Sequence, residues 1–215
     1  VILPTMFKPN GLVVFTTDFS TRGSYVGAMR GSVLSAYTSA RILDLTHHVP
    51  AQDVHEASRI LAAAAPFYPK GTVHLVVVDP GVGTERREVV VEAGGQAFVG
   101  PDNGVLVRVA SVLGRTDVRV IEHQELRLPT VSHTFHGRDI FGPTAGALAG
   151  GFPISRVGSK VTLQSLQEAV PFPVATATGV SGHVESVDHF GNILTSIPVQ
   201  QLPAAGFIVI VGAQR

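Results

Sequence analysis

Short apolar runs alternate with segments of helical period through the first 150 residues, and this alternation limits the fold more than any other feature. "LVVFTT" (12–17), "ARILDL" (40–45) and "TVHLVVV" (72–78) read as strands, the last of them the most buried. Between them, "SYVGAMRGSVLSAY" (24–37) and "DVHEASRILAAAA" (53–65) read as helices, the second opened by Asp53 and closed before Pro66. "EVVVEA" and "QAFVG" flank Gly94-Gly95 as a hairpin, "GVLVRVASVLG" (104–114) is a helix, and "DVRVIE" (117–122) a strand. "RDIFGPTAGALAGG" (138–151) is a helix of small residues that ends at glycines. This order predicts an α/β domain over 1–165 with a mainly parallel sheet.

After that the character changes. Residues 166–176, within "LQEAVPFPVATATG", have turn-forming residues and no period, and read as a linker. "VSGHVESVD", "NILTSI" and "GFIVIVG" then read as strands of a small β-rich domain over 177–215. A unit of about 40 residues rarely stands alone, so this domain is expected to be partial or to lean on another chain. Lys+Arg and Asp+Glu number 16 each, and this balance argues against a nucleic-acid surface. Without cysteine there is no disulfide, thiolate metal site or Cys nucleophile. No apolar run reaches the roughly 20 residues of a membrane span, and "VILPTMFKPNG" lacks the pattern of a signal peptide. A soluble cytoplasmic protein is the expectation.

Ligands of parallel α/β sheets bind beyond the carboxyl ends of the strands. Three strands end there on polar groups: Asp18, the run Asp44 to His47, and Asp79. One such Asp could merely cap a helix or fix a turn, whereas three together favour a site. After Asp79, Pro80, Gly81 and Gly83 build a turn that can approach a ligand closely. The turn lacks the Lys and hydroxyl of a phosphate loop. Arg86 and Arg87 follow, and as neighbours they point differently, so one of them is expected to return to Asp79. In "HTFHGRD" (133–139), His136 is the candidate for proton handling, His133 reads as a loop histidine, and Asp139 suits a helix start. The adjacent pair His47-His48 makes a poor chelator, and no metal is expected. "VDHFGNILTSI" (187–197) fits a plain hairpin, and equally an exposed Phe190 set between Asp188 and Asn192 to meet a nucleobase and a polar tail.

Taken in order, "TTDF" (16–19), "YVGAMRG" (25–31), "DLTH" (44–47), "VVDPGVGTERR" (77–87), "GPDNGVL" (100–106), "TFHGRDIFGP" (134–143) and "VDHFGNILT" (187–195) resemble the S-adenosyl-L-methionine hydroxide adenosyltransferases. These are relatives of the fluorinating and chlorinating enzymes. The resemblance implies hydrolysis of S-adenosyl-L-methionine to adenosine and L-methionine. It further implies that Asp79, Arg86 and His136 handle the water, with either Asp79 or His136 taking its proton. Asp18 would bind the ribose, Thr134 and Phe135 would line the reacting centre, and Asp188 and Asn192 would contact the methionine part and the adenine. A homotrimer with sites at subunit interfaces, and no cofactor beyond the small-molecule substrate, are implied as well. The halide-binding Ser of the fluorinating relatives would fall on Gly137, and their Tyr on Asp79, which points to water rather than halide as the nucleophile. A halogenating relative, and a module that binds the nucleoside without turnover, are the alternatives. An unrelated α/β hydrolase is disfavoured, since no "GxSxG" elbow is present.

Overall fold

Apolar strands that bury both faces form the centre of the molecule, seen in a computed structural model that describes residues 7–114, 116–167, 174–176, 179–204 and 206–212. The chain divides into two units, Val1–Ala169 and Val170–Arg215.

In the first unit the elements run β1 (Leu12–Thr17), α1 (Tyr25–Ala36), β2 (Arg41–Thr46), α2 (Val54–Ala64), β3 (Val73–Val77), β4 (Glu88–Ala93), β5 (Gln96–Pro101), α3 (Val107–Leu113), β6 (Thr116–Val120), α4 (Gly142–Ala149) and β7 (Lys160–Val161). The seven strands form one sheet in the order β2-β1-β3-β5-β4-β6-β7. The α/β expectation holds. Parallel pairing, however, is confined to β2-β1-β3-β5, while β4-β5, β4-β6 and β6-β7 pair antiparallel. The Gly94-Gly95 hairpin is the reason: it returns the chain directly from β4 into β5, so no helical crossover separates them.

The period of two along β3 divides the core. Val73, Leu75 and Val77 face a cluster with Met29 and Val33 of α1 and Ala145 and Leu148 of α4. Val76 faces Ala57 and Leu61 of α2 and Val109 and Ala110 of α3. Helices therefore cover the sheet on two sides, and a strand buried on both faces needs no polar alternation. Asp53 caps α2, its Oδ1 accepting from the Glu56 N–H at 2.9 Å.

The second unit holds two antiparallel hairpins, β8 (Val174–Thr176) with β9 (Gly179–Ser181), and β10 (Val184–Val187) with β11 (Ile193–Thr195). Most of the linker expected over 166–176 lies outside the described residues. The strand expected at "GFIVIVG" is not formed: residues 206–212 have no ladder, and Ile208 is 90% exposed. An apolar run becomes a strand only through a pairing partner, which composition does not supply. Among the described residues, no helix is long and apolar enough to cross a membrane.

Candidate active site

A cleft of about 480 Å³ opens beyond the carboxyl ends of β1 and β3, lined by residues that include Asp18, Asp79, Thr134, Phe135 and His136. β3 brings Asp79 to its floor, and the turn after it is self-supporting. Val82 N–H donates to the Asp79 carbonyl at 3.2 Å, and the Thr84 hydroxyl donates to the Gly81 carbonyl at 2.7 Å. Gly83 has φ +79, and a Cβ there would sit 2.4 Å from the His133 carbonyl oxygen. The position thus requires both a left-handed backbone and the absence of a side chain, because here the two loops of the cleft touch.

Arg86 returns to Asp79 as the sequence suggests. Its Nε donates to Asp79 Oδ1 at 2.9 Å and to Oδ2 at 3.0 Å, and its Nη2 donates to Oδ2 as well. The same Nη2 lies 2.9 Å from Nδ1 of His136. Both side chains of the ion pair are 5% exposed, so the pair is shielded from water and held in one geometry. Phe141 lies under the guanidinium, 5.3 Å from ring centroid to Cζ. Arg87 points elsewhere, its Nε donating to Asp102 Oδ2 at 2.7 Å.

A fourth member of the cluster, Glu88, was not found from sequence. Its Oε1 accepts from Arg86 Nη1 at 3.0 Å and lies 3.3 Å from His136 Nδ1. Burial works to raise the Glu88 carboxyl, but the contact with His136 and the charge of Arg86 outweigh it and hold the group below its ordinary range. A signal existed: two residues apart in extended chain, Arg86 and Glu88 share a face.

His136 is buried and stands at the entrance of a π-helical turn, Gly137–Phe141, that leads into α4. The helix expected over 138–151 is present and ends at Gly150, its first turn π-helical and the remainder α-helical. Asp139 lies in the first turn of this helical segment, as its type suggested. It is fully buried, accepts from the Ser132 N–H at 2.8 Å and pairs with Arg138. Burial opposes its ionisation, yet the bonds from Arg138 and Ser132 hold its carboxyl below the usual range. These bonds tie down the loop that carries Thr134 and Phe135. His133 is an exposed loop residue.

Asp18 is oriented from outside its own strand, since its Oδ2 accepts from the Gln52 N–H at 2.8 Å. Gln52 has φ 65 and Ser20 has φ 59, the two positive values outside glycine among the described residues. Both flank Asp18, which places backbone strain at the cleft. Phe19, Tyr25 and Phe135 form an aromatic row along it, with centroids 5.9 Å and 5.6 Å apart. Gln52 and Tyr25 had no sequence signal of their own as site residues.

The third strand end does not join. Asp44 pairs with Arg30 of α1 and lies 3.0 Å from His47 Nε2, while His47 Nδ1 lies 2.8 Å from the Thr17 hydroxyl. These groups staple β2 to its neighbours. Among the described residues, no group of three or more His, Asp or Glu is placed to hold a metal ion. Asp188 and Asn192, in the second unit, close the turn between β10 and β11. Asp188 Oδ1 accepts from the N–H groups of Phe190 and Asn192, each at 2.8 Å, and Oδ2 accepts from Asn192 Nδ2 at 2.7 Å. The amide of Asn192, followed by these backbone N–H groups, holds the Asp188 carboxyl below its usual range. Phe190 at the tip is 87% exposed.

An Asp–Arg–His–Glu cluster whose Asp79 and His136 line a cleft at the ends of parallel strands is the build of a catalytic α/β domain. Residues 13–158 match the SAM hydroxide adenosyltransferase N-terminal domain, and the chain belongs to that family. It is 40% identical over 203 residues to the (R)-S-adenosyl-L-methionine hydrolase of Salinispora tropica, covering 94% of this chain and 75% of that protein. The enzyme of the same name from Thermus thermophilus is 35% identical over 207 residues, covering 93% and 79%. A fluorinase of Actinopolyspora mzabensis is more distant, 27% identical over 222 residues, covering 91% and 74%. Among solved structures, an uncharacterised conserved protein of Thermotoga maritima superposes with a TM-score of 0.79 at 41% identity, covering 88% of this chain and 72% of that one.

Proposed function

We propose that this protein hydrolyses S-adenosyl-L-methionine to adenosine and L-methionine, with Asp79, Arg86 and His136 as the water-handling set. The observation that carries the reading is the two-pronged Asp79–Arg86 pair, with His136 2.9 Å from the same guanidinium, and with Asp79 and His136 both lining one cleft. The water oxygen attacks C5′ as the C5′–S bond breaks, and the bonding pair leaves on sulfur as a neutral thioether. A sulfonium needs no acid to depart, so no cofactor is required. The protein's task is to hold the water in line with the C–S bond, take its proton and stabilise the charge that develops. Asp18, oriented by Gln52, is suited to the ribose hydroxyls, and Thr134 and Phe135 to the reacting carbon.

Gly137 supports water over halide. A Cβ there would lie 3.3 Å from Val77 Cγ1 and 3.5 Å from Met29 Sδ, so a hydroxyl-bearing side chain at this spot has little room. The Asp79 carboxylate would also repel an anion. The purified protein should convert S-adenosyl-L-methionine to adenosine, incorporating ¹⁸O from labelled water. Absence of adenosine would reduce the protein to a binding module, and a 5′-halo-adenosine formed in high chloride or fluoride would overturn hydrolysis.

The same proposal includes a homotrimer in the cytoplasm whose sites lie between subunits, with Asp188 and Asn192 of the second unit contacting the methionine part and the adenine. Phe207, Ile208, Val209, Ile210 and Val211 are all exposed, and an apolar run of this length is a candidate for burial by another chain. Light scattering at micromolar concentration should give three times the subunit mass, and a monomer would count against the assembly.

A further inference from the structure

Asp18 stands one residue past the end of β1, where the sheet no longer holds the chain. The segment after β2 holds it instead. The Thr17 carbonyl accepts from Val49 N–H at 3.3 Å, the His47 carbonyl from Ser20 N–H at 2.8 Å, and Asp18 Oδ2 from Gln52 N–H at 2.8 Å. On the side of residues 47–52 these three bonds use backbone groups, so none of them depends on which side chains stand there. A fourth contact does. His47 Nδ1 and the Thr17 hydroxyl share a hydrogen bond at 2.8 Å, and the same hydroxyl accepts from Phe19 N–H at 3.3 Å. Asp18 is thus spanned by a side-chain link that begins at His47.

The register of the sheet brings His47 there. β1 and β2 pair in parallel, with Phe15 beside Asp44 but Thr16 beside Thr46, so Leu45 is the extra residue of a bulge. Continued by one step, the shifted register sets His47 beside Thr17, where an unbroken ladder would set Thr46. Re-aiming a side chain in this way is a regular use of a bulge. The ring is buried, and Phe15 meets it edge-on with centroids 6.3 Å apart. Its Nε2 lies 3.0 Å from Asp44 Oδ1 without forming a hydrogen bond. Among the described residues, the bond to Thr17 is therefore the ring's only one. An apolar ring could fill the same space without the cost of burying a polar group. What the imidazole adds is a fixed partner for the Thr17 hydroxyl.

We infer that His47 is a positioning residue: through the Thr17 hydroxyl it fixes the turn 17–20, and with it the direction in which the Asp18 carboxylate meets the ribose. Asp18 lines the cleft, whereas His47 and Thr17 stand behind it. A carboxylate accepts from two neighbouring hydroxyls only when it is held in one orientation, and a supporting side chain is what holds it. This inference rests on the reading of Asp18 as the group that binds the ribose hydroxyls.

Calorimetric binding of adenosine and of 2′,3′-dideoxyadenosine, which lacks both ribose hydroxyls, separates this role from a merely structural one. The wild-type protein should bind adenosine about 10- to 100-fold more tightly than the dideoxy analogue, and Asp18→Ala should erase that preference. In His47→Leu the preference should fall to about threefold or less, while the affinity for the dideoxy analogue stays within about threefold of wild type. Thr17→Val should behave in the same way. Thr17→Ser and His47→Asn, which keep a hydrogen-bonding group at either end of the link, should retain the preference. An equal loss of affinity for the two nucleosides in His47→Leu and Thr17→Val would overturn the proposal, since a general weakening of the fold does not single out the hydroxyls. Should His47→Leu fail to fold, Thr17→Val, close to threonine in shape, reads the same link. A wild-type protein without the preference, or Asp18→Ala with it intact, would remove the ribose reading and the inference built on it. A preference lost in Asp18→Ala but kept in His47→Leu and Thr17→Val would overturn the positioning role alone and leave the ribose reading standing.

Discussion

At the scale of single residues, the cluster shows what a charge and a shape each contribute. Asp79→Asn keeps the shape but removes the negative partner of a shielded guanidinium, so turnover should fall about 10²–10⁴-fold while substrate still binds. Arg86→Lys should fail similarly, because one ammonium cannot span Asp79, Glu88 and Nδ1 of His136, which the guanidinium contacts through three nitrogens. His133→Ala should be close to neutral, since that side chain is exposed and the groups it sets against Gly83, its carbonyl and Cβ, are kept by alanine. Adenosine formation by these variants and His136→Ala checks all three. Near-normal activity in Asp79→Asn, or a loss in His133→Ala as large as in His136→Ala, would mean that other residues carry the chemistry. Asp79, Arg86 and His136 were legible because motif order fixed them and because a carboxylate ending a core strand needs a reason. Glu88 and Gln52 were not. Glu88 begins a strand that reads as core filler, and Gln52 acts through its backbone N–H, a group every residue but proline has.

Elements were legible where burial is complete and illegible where context decides. β1 and β3 announce themselves as mostly apolar runs, and α2 by its Asp cap. The π-helical turn after His136 has no period of its own, and "GFIVIVG" has the composition of a strand without the partner. The small residues of α4 signal close packing, and the structure shows against what. A Cβ at Gly146 would stand 2.5 Å from the Val33 carbonyl and 2.9 Å from Ala36 Cβ, both on α1. Glycine in a helix normally costs up to about 1 kcal/mol relative to alanine, so Gly→Ala is usually stabilising. The sign should therefore split between the two helices. Gly146→Ala should destabilise by about 1–3 kcal/mol, because α1 and α4 must separate. Gly31→Ala on α1, where nothing lies within 4 Å of the added carbon, should stabilise by about 0.5–1 kcal/mol. Urea unfolding of the two variants decides it, and stabilisation in both would show that the helix contact yields easily.

For the molecule as a whole, the alternation of strands and helices was enough to define the class, while the antiparallel half of the sheet needed the hairpin geometry that only the structure displays. One consequence of folding all of this around β3 falls on His74, whose side chain points into the core beside the α2 layer. It is fully buried, its Nε2 lies 2.7 Å from Gln96 Oε1, and its ring stacks on Phe98 at 4.7 Å. Burial pushes its pKa down from 6.5 to about 4, only partly offset by the bond to Gln96. In the unfolded chain the ring takes a proton near its ordinary value, and in the folded chain it resists doing so. The unfolded state therefore binds more protons between pH about 6.5 and 4, and stability is full above that window and lost as pH falls through it. The gap corresponds to about 3 kcal/mol. Mass action makes the loss reversible, so it should be visible in equilibrium unfolding. His74→Gln keeps a polar partner for Gln96 and cannot titrate. Between pH 7.5 and 4.5 the wild-type protein should lose about 2–3 kcal/mol more stability than His74→Gln, whatever the variant's starting stability. Equal losses in the two proteins would mean that the ring is reached by water and that this core is less closed than its packing indicates.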